Sequence, residues 1–142
     1  MQFSGHGADD GHEPGFDIAA LAAGAGASFV ARETVAKPLL LDKLIERAIR
    51  KQGFSLVEAM TPCPTTYGRL NKAGDGAAMT RFLKDHSVSA AKAETMTPEE
   101  RSAAVVTGVF VDVDKPEYSE QYSRLVERLG GPARAANAQA GR

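Results

Sequence analysis

Between residues 27 and 60 the chain switches from extended to helical periodicity and back, and few folds accommodate that order. Ala27-Ser28-Phe29-Val30-Ala31-Arg32 is short, apolar and extended. Lys37-Pro38 opens a helix in which Leu40, Leu41, Leu44, Ile45, Ala48 and Ile49 recur on one face. Pro38 falls in the first turn, where a missing N–H costs least, and Arg47, Arg50 and Lys51 complement the dipole before Gly53 stops the helix. The chain then becomes extended again, with Phe54, Leu56 and Met60 expected on one face and Ser55 and Glu58 on the other. Strand, helix and strand of this size make one βαβ unit, with parallel strands and a right-handed crossover.

The flanks are read from their caps. Asp17 is an N-cap for residues 18–24, with Ile18 and Leu21 packing inward and Gly24 as the left-handed stop. Residues 76–88 form a helix with Ala78, Met79, Phe82 and Leu83 inward, and 89–95 a surface connector. Thr97-Pro98-Glu99-Glu100 has the grammar of a capping box. Residues 104–113 are β-branched and extended, with Gly108 at a bulge. A closing helix over 116–129 carries Tyr118, Tyr122, Leu125, Val126 and Leu129 on one face and ends at Gly130-Gly131-Pro132.

Composition excludes several classes. A net charge of −1 argues against a phosphate-backbone binder, so no nucleic acid partner is expected. One cysteine rules out an internal disulfide and a self-sufficient structural zinc site. The apolar runs are too short for a membrane span, and the expected location is cytoplasmic. His6 and His12 lie among glycines with no rigid ligand spacing, so 1–15 is expected to be a flexible leading segment. The alanine-rich residues 132–142 are expected to be a disordered tail.

The second strand ends at Pro62, and the lone Cys63 follows between Pro62 and Pro64. Open α/β sheets place their chemistry at such carboxyl ends. Three readings stay open from the residues alone. Cys63 and Arg69 have the spacing of a cysteine phosphatase cradle, although Pro64 removes one N–H donor. Cys-Pro is common among iron–sulfur ligands, although four thiolates are needed. A buried, inert cysteine is the third. Gly74-Asp75-Gly76 lacks the preceding strand and following asparagine of a magnesium–diphosphate motif, and is a turn.

Residues 16–32, Lys51-Gln52-Gly53-Phe54-Ser55-Leu56-Val57-Glu58, Pro62-Cys63-Pro64-Thr65 and Tyr67-Gly68-Arg69-Leu70-Asn71-Lys72 resemble a known family in order and spacing. It is the beta subunit of 2-oxoacid:ferredoxin oxidoreductases, with the 2-oxoglutarate type favoured, and the similarity runs from about Phe16 to Leu129. The resemblance implies an α/β fold: the carboxyl-terminal βαβ portion of a thiamine-diphosphate-binding domain over 16–88, with a small α+β extension over 89–131. It implies a 2-oxoacid decarboxylated to an acyl-CoA on thiamine diphosphate and Mg2+, with electrons passing through a [4Fe–4S] cluster to ferredoxin. Cys63 matches the family's last cluster ligand. No catalytic or thiamine-diphosphate-binding residue falls in this portion, so the isolated chain is expected to hold no cofactor and to be inactive. The implied partners are an alpha subunit, an amino-terminal half of the beta subunit, ferredoxin and coenzyme A. A noncatalytic interaction module derived from that subunit is the alternative, and the phosphatase a more distant one.

Overall fold

Phe29, Val30 and Ala31, which begin β1 (Phe29–Thr34), are wholly shielded from solvent. The computed structural model describes residues 16–130; the readings on 1–15, with His6 and His12, and on 131–142 lie outside the described residues. β1 pairs in parallel with β2 (Ser55–Met60), from Phe29 opposite Ser55 to Thr34 opposite Met60. α2 (Pro38–Arg50) connects them, which is the βαβ unit the sequence predicts. The sheet order is β2-β1-β4-β3, with β3 at Ser87–Ser89 and β4 at Val105–Asp112. The β3–β4 pair is parallel and the β1–β4 pair antiparallel.

A helix covers each face of this sheet. On one side α1 (Ile18–Gly24) sets Ala19 and Ala22 against Val30, with Leu56, Phe110 and Val111 around them. On the other α2 sets Leu44 against Phe29 and Ala31, with Val57 and Val109 alongside. The expected inward face of α1 is corrected here: Ile18 and Leu21 are 44% and 57% exposed, and the alanine stripe makes the contact. Alanine lets the helix backbone lie close to the strand, whereas the larger residues have no neighbour to cover them. The left-handed residue beyond α1 is Gly26, at φ 87°, and not Gly24. On α2 only Leu44 of the predicted stripe is buried; Leu40, Ile45 and Ile49 are exposed.

Other expectations change as well. Glu58 lies on the same face as Leu56, as a two-residue repeat requires, and it is accepted there because Arg32 is its register partner on β1. In the segment after residue 88, β4 takes the second ladder edge of β1 inside the one sheet. Its bulge falls at Phe110: Val30 faces Val111 while Ala31 faces Val109, and Gly108 supplies only a φ of 122°. The 89–95 connector contains a short helix, α4 (Ala90–Ala93), capped by Ser89 and burying Ala93.

The remaining helices follow their caps. Asp75 accepts from the Ala78 amide at 2.8 Å and starts α3 (Gly76–His86), which buries Met79 and Leu83. The Thr97–Glu100 capping box opens α5 (Pro98–Ala103). α6 (Tyr118–Arg128) buries none of its residues, so Tyr118, Tyr122, Leu125 and Leu129 form an uncovered apolar face. Among the described residues no helix is long and apolar enough to cross a membrane.

Arg32 joins three elements. Its guanidinium donates to Glu58 Oε2 and to Asp17 Oδ1, both at 2.7 Å, and lies 5.4 Å from the centre of the Phe110 ring. Burial by itself pushes Asp17 up, but the Ala20 amide and the Arg32 charge together hold it below its ordinary value. A carboxyl lowered on folding contributes stability that is present above its unfolded pKa and lost as pH falls through its folded one. We therefore expect Arg32→Ala to cost about 2 kcal/mol near neutral pH, between the range of exposed and of buried pairs. The deficit against wild type in urea melts should shrink below about pH 4, the ordinary aspartate range. An equal deficit at pH 3 and pH 7 would show that the lost packing on Phe110 dominates.

Candidate functional site

Pro62 ends β2, and the chain turns at once into a single π-helical turn, Pro64–Gly68, for which Cys63 is the N-cap. The Gly68 N–H bonds the Cys63 carbonyl at 2.8 Å, an i to i+5 bond that makes a wider ring than an α-turn. That ring gathers donors around the sulfur. The amides of Tyr67 and Thr66 point at Sγ, the Thr65 hydroxyl lies 3.8 Å from it, and the Thr66 hydroxyl adds to them. These bonds favour the thiolate, and they lower the Cys63 thiol to about 7. Cys63 is exposed, which removes the reading of a buried, inert cysteine.

Gly68 holds this turn against the domain. It is buried, and a Cβ there would lie 2.9 Å from Met79 Sδ and 3.2 Å from the Gly74 carbonyl oxygen. The Ala73 amide bonds the Gly68 carbonyl at 2.9 Å, so the chain after the turn folds back onto it. α3 is therefore the floor on which the cysteine turn rests, and Asp75 serves that floor as an N-cap.

The structure does not bring Arg69 to the thiol. It is exposed, and the groups acting on Cys63 are amides and hydroxyls with no cation among them. Pro64 is harmless to the cradle, because the donors come from residues 66 and 67. The phosphatase arrangement thus has its amides but lacks its guanidinium. No role was read for Thr65, Thr66 or Gly68 from the sequence: Thr65 and Gly68 entered only within the stretches that carry the resemblance, and two hydroxyl residues after Cys-Pro are not distinguished by composition from an ordinary loop. Beside the turn, Ala36, Gly76, Thr80, Arg81 and Lys84 line an open concavity of about 490 Å³. Among the described residues no cluster of three His, Cys, Asp or Glu side chains is arranged to hold a metal ion.

Alkylation of Cys63 in the intact chain should rise with pH through an inflection near 7, since the thiolate is the nucleophile. Gly68→Val, which forces the turn off α3, should move that inflection towards the ordinary thiol range of about 8.5. An unchanged inflection in the variant would show that the donors do not depend on the seat of Gly68.

No family model matches the chain. It is 42% identical over 113 residues to 2-oxoglutarate synthase subunit KorB of Methanocaldococcus jannaschii, covering 80% of this chain and 42% of that one. To the subunit of the same name from Methanothermobacter thermautotrophicus it is 39% identical over 121 residues, 85% of this chain and 42% of the relative. The chain therefore spans about two fifths of the length of these curated relatives. A solved 2-oxoglutarate:ferredoxin oxidoreductase from Magnetococcus marinus, with 2-oxoglutarate, coenzyme A and succinyl-CoA bound, superposes with a TM-score of 0.66 at 21% identity. That match covers 89% of this chain and 43% of the other, and it shows a shared fold.

Proposed function

We propose that this chain, a homologue over most of its length of 2-oxoglutarate synthase subunit KorB, works as the carboxyl-terminal part of the beta subunit of a 2-oxoacid:ferredoxin oxidoreductase. Its contribution to oxidative decarboxylation of a 2-oxoacid, with 2-oxoglutarate favoured, is to supply one thiolate to a [4Fe–4S] cluster. Cys63 carries this reading: an exposed sulfur, poised towards the thiolate and surrounded by N–H and O–H donors, is what an iron-bound cysteine requires. The residues present fit one cluster ligand and no more. The chain has a single cysteine, so in this reading the other ligands come from outside these 142 residues.

When bound, such a cluster carries single electrons towards ferredoxin. What this chain does is hold Cys63 exposed just past the end of β2, favour the thiolate form of its sulfur, and brace it through Gly68 on α3. Thiamine diphosphate and Mg2+ have no fitting residues among those described; Asp75, the one acidic residue in a Gly-Asp-Gly triplet, is committed to capping α3. We assign those cofactors, and the binding of coenzyme A, to other parts of a cytoplasmic complex that includes an alpha subunit.

Uncovered apolar surface supports a place within a larger assembly. Leu21, Leu39 and Ile49 on the two flanking helices, Phe16 just before α1, Tyr118 on α6 and Leu129 at its carboxyl cap are each more than half exposed. In isolation the chain should self-associate or unfold with low cooperativity. Sedimentation of a clean monomer with one sharp two-state transition would count against this.

The decisive test is Cys63→Ala in the anaerobically assembled complex, followed by visible and electron paramagnetic resonance spectra. We expect an altered or lost cluster signal and a drop in ferredoxin reduction of at least tenfold, with thiamine diphosphate still bound. An unchanged cluster spectrum would overturn the assignment.

A further inference from the structure

We propose that the Thr65 hydroxyl is a positioning and tuning residue for the cluster, donating to the Cys63 sulfur and thereby raising the cluster's reduction potential. This rests on the reading of Cys63 as a ligand. The Thr65 Oγ1 lies 3.8 Å from Sγ, and Thr65 is the second residue of the π-helical turn that Cys63 caps. A thiolate bound to iron has no proton to give, so in the assembled protein the hydroxyl must be the donor. The other donors at Sγ include the Thr66 and Tyr67 amides, which no side-chain substitution removes. Of the two hydroxyls acting on the sulfur, that of Thr65 acts more strongly than that of Thr66, so Thr65 is the side chain through which the donor set can be changed most while the main chain stays as it is.

Reduction adds one electron and so makes the sulfur a stronger acceptor. Each donor aimed at it stabilises the reduced form more than the oxidised form, and potentials of such clusters follow hydrogen bonds to their sulfurs. Thr65 is exposed and makes no contribution to either core cluster, so replacing it spares the fold. Valine keeps its shape and removes the donor; serine keeps the donor and removes the methyl.

The test is a mediated redox titration of the assembled complex, followed by the electron paramagnetic resonance signal of the reduced cluster, for wild type, T65V, T65S and Cys63→Ala. At the wild-type midpoint, the T65V cluster should be about threefold more oxidised than reduced, a shift of about 30 mV to more negative potential at 59 mV per tenfold. T65S should titrate with wild type. If Cys63→Ala alters the cluster while T65V titrates with wild type, the tuning role fails and the ligand assignment stands. If T65V and T65S shift equally, the hydroxyl is not the cause and the inference fails. If Cys63→Ala leaves the cluster spectrum unchanged, the ligand assignment fails and takes this inference with it.

Discussion

Burial of β1 is the constraint on which the other elements depend. From Phe29 to Arg32 it is paired on both edges, with β2 on one side and β4 on the other, and both its faces are covered by helices. A strand so enclosed must satisfy every backbone group from its neighbours, so β2 and β4 cannot move independently of it. Its one charged intruder in this stretch, Arg32, is tolerated because Asp17 and Glu58 meet it. The same position fixes where β2 ends, and hence where Cys63 begins.

Periodicity carried much of this information and left a definable part out. The βαβ unit was legible because Leu44 and its neighbours repeat at helical spacing while the flanking strands do not. The caps at Asp17 and Thr97 were legible because each is a local bond between a side chain and an amide three residues on; Asp75, read only as part of a turn, makes the same kind of bond. What failed depended on distant neighbours. Nothing in residues 18–24 says that the alanine face meets Val30, and nothing in 105–112 says that this strand joins β1.

The site divided in the same way. Proline-flanked Cys63 stood out as a lone thiol past a strand end, and the resemblance to a family gave it a role. The cradle itself was hidden, because its principal donors are main-chain N–H groups of residues 66 and 67, whose directions follow from the π-helical turn and not from side-chain identity. The turn in turn depends on contact between Gly68 and Met79, eleven positions apart in a chain with many glycines.

The bulge at Phe110 has a consequence for how this sheet tolerates change in length. One surplus residue resets the phase of β4, so that Phe110 and the adjacent Val111 both reach the α1 side while Val109 serves the α2 side. Removing that residue would restore an even ladder yet put the two ends of β4 out of step. Either the half paired with β3 or the half paired with β1 would then turn its apolar residues to the wrong layer. The strand works as a joint between two frames of reference, and its irregularity is what allows one chain segment to serve both.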